Sequence, residues 1–191
     1  MPGKFSLTAL AKKHGIEIRG RFAEDCVDPI HTGQIDFSGR GSWAAGRAAC
    51  EKYIRKALDI MGPADRYWLP GLLTMASRET SYNAPGHQMN TRDGNARNVP
   101  ELLGGRSAPD GFKGMCFRGM LQTIPQTFAR HHATGTSRKI YDPVASAAAA
   151  SNYFMFRYKV AQDGHELAAK VRQANPNKTG GGILREPGDG R

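Results

Sequence analysis

The sequence is short of several things, and each shortage excludes a class of protein. Three cysteines, Cys26, Cys50 and Cys116, are spread over 191 residues. They are too few and too scattered for a disulfide framework or a zinc site. Reduced, structural thiols are expected, with room for one bridge if the protein works outside a cell. No run of 18 apolar residues occurs, which excludes a transmembrane helix and membrane insertion. The opening Met1-Pro-Gly-Lys-Phe-Ser-Leu-Thr8 has no apolar h-region, so no signal peptide is expected. Acidic residues are scarce, 17 against 27 Lys and Arg, which leaves a net charge of +10. Repeats are absent, and so are blocks of five like charges, so the positive charge is spread rather than carried by a tail.

What is present is enough for one domain of ordinary size. Apolar residues are 39% of the chain and 23 glycines add to them, which argues against wholesale disorder. The charge favours polyanionic partners: nucleic acid, anionic membrane surfaces or the bacterial wall. The chain divides into an N-terminal preface (1–41), a main domain (42–174) and a linker-like tail (175–191).

Helical patterning dominates. Ser6 is placed to cap a short helix over 7–14. A stronger helix is expected after Ser42, with Trp43, Ala49, Tyr53, Ile54, Ala57, Leu58 and Met61 at helical spacing and Gly62-Pro63 as the stop. Pro70 suits the first position of the next helix, which ends around 81–83. Residues 84–119 are rich in Gly, Asn, Pro and Arg and have no sustained period, as an irregular functional loop would. A short helix over 124–132 would be capped by Thr123. Asp142-Pro143 opens an alanine-rich helix through Val160, and Asp163 is a cap for a last helix carrying Leu167 and Val171. The expected fold class is all-α or α-dominant, α+β at most, with one long irregular excursion.

Several weak patterns fail on chemistry. Gly41 to Gly46-Arg47-Ala48 lacks the Lys and Ser/Thr of a phosphate loop. His165-Glu166 has no second histidine at zinc-protease spacing. His131 and His132 are adjacent and point about 100° apart on a helix. No metal or other cofactor is expected, and no basic helix face or binding motif points to nucleic acid.

The informative segment is Leu72-Leu-Thr-Met-Ala-Ser-Arg-Glu-Thr-Ser-Tyr-Asn83. Glu79 closes an apolar helix, where partial desolvation and the helix dipole both favour a protonated carboxyl, as a general acid requires. The same residue also reads as an exposed acid at a fraying helix end. Further on come Gly119-Met-Leu-Gln122, Asp142-Pro143 and a helix bearing Tyr153. In this order, Glu79-Thr80, Gly119 to Gln122, Asp142-Pro143 and Tyr153 resemble the lysozyme-like superfamily of soluble lytic transglycosylases and goose-type lysozymes, over residues 65–160. Ser77-Arg78-Glu79 and Asn90-Thr-Arg-Asp93-Gly-Asn95 are similar to the goose-type version. Three departures stand out: Met-Leu replaces Leu-Met, Thr123-Ile124 stands where a further acid is usual, and the stretch 96–117 is long.

The resemblance implies a lysozyme-like helical domain that cleaves the MurNAc-GlcNAc bonds of peptidoglycan without a cofactor, a monomer by default. It makes Glu79 the general acid and Asp93 the residue that activates water, although Asp93-Gly94 is also an ordinary turn pair. Gln122, Tyr153, Tyr82, Asn90, Asn95 and Met120 would line the sugar site. Tyr82 is equally able simply to pack, and Tyr153 to be plain core. With no signal peptide, a bacteriophage lysin is implied, made in the host cytoplasm and acting on the wall after release, or carried in the virion. The competing reading is a non-catalytic basic protein that binds the wall or nucleic acid.

Overall fold

The computed structural model describes residues 26–62, 65–92 and 107–178. Among them the fold is α-dominant, with five helices and a two-stranded antiparallel hairpin. The helix expected over 7–14 lies outside the described residues.

Helix α1 spans Arg47–Met61. It begins later than the apolar periodicity suggests because Gly46 takes φ 103°, off the helical path. Trp43 therefore stands outside the helix and packs on a secondary core cluster. Gly62 ends α1 in the left-handed region, its N–H donating to the Leu58 carbonyl at 2.7 Å. Helix α2 spans Asp65–Thr80, so Pro70 lies inside it rather than at its start. The ring is exposed and removes one N–H bond in the second turn. Apolar burial outweighs that loss, because Trp68, Leu72, Met75 and Ala76 are all fully buried. Trp68 also donates from Nε1 to the Gln162 carbonyl at 2.7 Å.

Strands β1 (Met89–Asn90) and β2 (Phe117–Arg118) pair with Met89 opposite Arg118 and Asn90 opposite Phe117. Helix α3, Pro125–Arg130, has Ile124 at its N-cap. Thr123, the expected cap, instead exchanges backbone bonds with Arg118 at 2.9 and 3.0 Å. Helix α4, Pro143–Tyr158, starts as the sequence predicts: Asp142 Oδ1 accepts from the N–H groups of Val144 and Ala145 at 2.8 and 3.3 Å. It stops short of Val160 because Lys159 turns left-handed at φ 53°. The last helix is one turn, α5, Leu167–Lys170, with Glu166 at its N-cap. Asp163 is spent on His165, accepting from its backbone N–H at 3.2 Å and meeting Nδ1 at 2.7 Å.

Every residue of α4 from Ala145 to Phe154 is buried, which places this helix at the centre. Its alanines let α1 and α3 approach closely, and α1 packs in turn on α2. The stretch 26–41 is bonded to the main body: Asp28 N–H donates to His132, Ile30 to Ala129 and Asp36 to Arg138, at 2.8–3.0 Å. At the other end, Arg78 donates to the carbonyls of Gln173 at 2.9 Å and Lys178 at 2.6 Å. Among the described residues no helix is long and apolar enough to cross a membrane, and no three His, Cys, Asp or Glu side chains group to hold a metal ion. All three cysteines are buried, and burial pushes the Cys50 thiol up to about 11.

Candidate active site

Glu79 is part-buried on the last turn of α2, as its place between an apolar helix and a polar turn dictates. Beyond it the chain makes an unusual corner. Ser81, Tyr82 and Asn83 all adopt left-handed backbone angles, φ 50°, 58° and 63°. Such geometry costs roughly 1–2 kcal/mol per non-glycine residue, so further bonds, local and tertiary, must hold it. Three are evident: Tyr82 N–H donates to Ala76 at 2.8 Å, Ala84 N–H to Thr80 at 2.9 Å, and the Tyr82 carbonyl accepts from Gly46 N–H at 2.9 Å.

Thr80 joins this corner to the second motif. Its hydroxyl, fully buried, donates to the Met120 carbonyl at 2.9 Å, lies 3.1 Å from the Ala76 carbonyl, and accepts from Asn83 N–H at 3.0 Å. Gly119 turns the same loop at φ 76°. A Cβ there would lie 2.5 Å from the Ile140 carbonyl oxygen, so only glycine fits. The third motif closes on the loop from the other side, where Ser146 Oγ, in the first turn of α4, accepts from Leu121 N–H at 3.1 Å. Segments separated by 40 and 25 residues in sequence thus meet at one place.

Gln122 ends the loop in a left-handed conformation, φ 54°. Its Nε2 donates to the carbonyls of Gly119 at 2.8 Å and His87 at 3.4 Å. Its Oε1 is buried and finds no hydrogen-bond donor among the described residues. A buried acceptor with no donor among the described residues, on a strained backbone, marks Gln122 as the residue of this loop to test.

The other candidates are placed differently. Met120 and Tyr153 are fully buried in the main core, where they underlie the site rather than face solvent. Tyr153 meets His131 edge-on at 5.4 Å. Tyr82 is part-buried and packs on the same core. Asn90 sits on β1 and its Oδ1 accepts from Arg92 N–H at 2.9 Å, an Asx turn. Asp93 and Asn95 lie outside the described residues.

Sequence reasoning missed the group that shapes the loop between the motifs. Arg118 is wholly buried and grips Asp110 in bidentate fashion, Nε to Oδ2 at 2.8 Å and Nη2 to Oδ1 at 2.9 Å. Tyr141 donates to the same Asp110 Oδ2 at 2.6 Å. The remaining Arg118 protons go to the carbonyls of Cys116 at 2.7 Å, Lys113 at 3.1 Å, Phe112 at 3.3 Å and Gly114 at 3.4 Å. Burial alone would raise the Asp110 carboxyl, but bonds from Arg118 and Tyr141 outweigh it and hold it below its ordinary value. Tyr141 is pushed well above its usual range by burial and by that carboxylate. The one clue in the sequence was a charge set inside the apolar run Met115-Cys-Phe-Arg-Gly-Met-Leu121.

Comparison with known proteins adds one relative. No protein-family model matches the chain, and no solved structure does. Over 91 residues it is 35% identical to the uncharacterized protein YqbO of Bacillus subtilis (strain 168). That match takes in 48% of this chain and spans only 5% of the length of YqbO.

Proposed function

We propose that the chain is a muramidase that cleaves the MurNAc-GlcNAc bonds of bacterial peptidoglycan, with Glu79 as general acid and cell-wall lysis as its role. One observation carries the reading: the Thr80 hydroxyl bonds the Met120 carbonyl, so the end of the acid-bearing helix is fixed against the Gly119–Gln122 loop. Residues that resemble a glycosidase only by their order in sequence are thereby neighbours in space. The net charge of +10 supports an anionic polymer as partner.

In this reading Glu79 protonates the glycosidic oxygen as the C1–O bond breaks and positive charge spreads over the sugar ring. The Gln122 Oε1, buried and with no donor among the described residues, would turn outward to accept from a sugar hydroxyl or amide. In a hydrolase, water then attacks C1 and yields its proton to a second carboxylate, for which Asp93 is the candidate. In a lytic transglycosylase, the sugar's own 6-hydroxyl attacks C1 and returns its proton to Glu79, leaving a 1,6-anhydro end.

One experiment tests both levels. Purified peptidoglycan is digested and the released muropeptides are weighed by mass spectrometry. Glu79→Gln should lower turnover by about 10²–10⁴. Wild-type turnover in this variant would sink the assignment, and absence of any product from the native protein would leave a non-catalytic wall binder. Asp93→Asn separates the reaction classes. Heavy loss with reducing ends means hydrolysis, and near-silence with anhydro ends, lighter by one water, means transglycosylation.

A further inference from the structure

We propose that Gln88 is a positioning residue that holds the Glu79 corner and the Gly119–Gln122 loop in register. The inference rests on the muramidase reading. Gln88 is fully buried just before β1, where a primary amide is costly unless its bonds are made. Here they are made, to two separate segments, and the main chain of Gln88 bonds a third. Nε2 donates to the Asn83 backbone carbonyl at 3.0 Å and to Asn83 Oδ1 at 2.9 Å. Oε1 accepts from Gly41 N–H at 2.9 Å. The Gln88 carbonyl accepts from Gly119 N–H at 3.0 Å.

Each contact bears on the site. Asn83 is the last of three left-handed residues that follow Glu79-Thr80, and Gln88 adds bonds from outside to those within that corner. Gly119 opens the loop that ends in Gln122. The preceding residue, His87, offers its carbonyl to Gln122 Nε2 at 3.4 Å, so residues 87 and 88 touch both ends of the loop. A displacement of Gln88 therefore moves the acid's corner and the buried Gln122 amide relative to each other. An apolar side chain of equal volume would fill the space without desolvating an amide and would keep the main-chain bond to Gly119, but it would release the Asn83 corner and Gly41 from the side-chain bonds.

The test compares turnover per folded molecule with stability, using solubilised peptidoglycan strands. Gln88→Met removes all side-chain bonds. Asn83→Gly removes one acceptor while relieving the strain at φ 63°, which glycine adopts freely. Expected is a fall in kcat of about tenfold for Gln88→Met and about threefold for Asn83→Gly, with KM little changed. Asn83→Gly should keep its melting temperature, a separation that a merely structural role would not produce. Should Gln88→Met fail to fold, Asn83→Gly alone decides. Wild-type kcat in Asn83→Gly, or a change confined to KM, overturns the proposal. The native protein and Glu79→Gln run alongside. An active native protein, an inactive Glu79→Gln and an unaltered Asn83→Gly overturn only the role of Gln88. An inactive native protein, or a fully active Glu79→Gln, overturns the muramidase reading and this inference with it.

Discussion

One hydroxyl does most to convert a sequence pattern into a place. Thr80 Oγ1 sits where α2 ends, the left-handed corner begins and the Gly119–Gln122 loop arrives. Replacing Thr80 by Val keeps its shape and removes the donor. The Met120 carbonyl and the Asn83 N–H then lose a buried partner, which should cost about 1–3 kcal/mol in urea denaturation. Thr80→Ser keeps the hydroxyl and should lose clearly less. Equal stability of Thr80→Val and the native protein would show that the bond is incidental. At this scale the sequence is informative in one direction only. Glu79, Gly119 and Gln122 can be put forward from the sequence because their motif is local. Gln88 and Arg118 are not, because what makes them matter is a partner brought in by folding: Gly41, 47 residues away, for Gln88, and Asp110 for Arg118.

Among elements, helices are the readable part and loops the unreadable part, for a physical reason. The apolar period of α1 and the Asp142-Pro143 start of α4 are set by neighbours within a few residues. The start of α2 is misread because Pro70 looks like a first-turn residue, and burial of Trp68 extends the helix past it. The loop 107–118 has no period at all. It is folded around the guanidinium of Arg118, whose donors reach Asp110 and four backbone carbonyls. The magnitudes single out this ion pair. The Arg55–Glu51 pair is partly exposed and contributes about 1 kcal/mol at most, and the Lys170–Glu166 pair is screened by solvent. Breaking a buried bidentate pair leaves Arg118 uncompensated, so Asp110→Asn should cost about 3–5 kcal/mol. Chemical denaturation measures this directly. A loss below that of a surface pair would mean that the loop folds without the ion pair. Because Arg118 is bonded to Thr123 and leads into Gly119, the same variant should also lose the proposed muramidase activity.

For the whole molecule, these local arrangements combine into a dependence of stability on pH. His131 is buried at the end of α3 against Tyr153 and Phe156. Burial, reinforced by Arg130, pushes it down from 6.5 to about 4. The unfolded chain therefore takes up a proton on His131 as the pH drops below 6.5, while the folded chain resists until about 4. Stability is unaffected by this group above 6.5, declines between 6.5 and about 4, and is level again below. Asp110 acts in a separate window. Its folded value lies below 3.8, so its contribution is complete above 3.8 and fades as the pH falls through that lower value. The exposed Asp163 and the part-exposed Asp36 and Glu166 are also lowered, but solvent screens them and they add little. Unfolding free energy measured from pH 8 to pH 3 should thus fall in two steps. His131→Phe should flatten the first step and leave the second, and Asp110→Asn should do the reverse. A first step that survives His131→Phe would place the responsible proton elsewhere and leave His131 as packing alone.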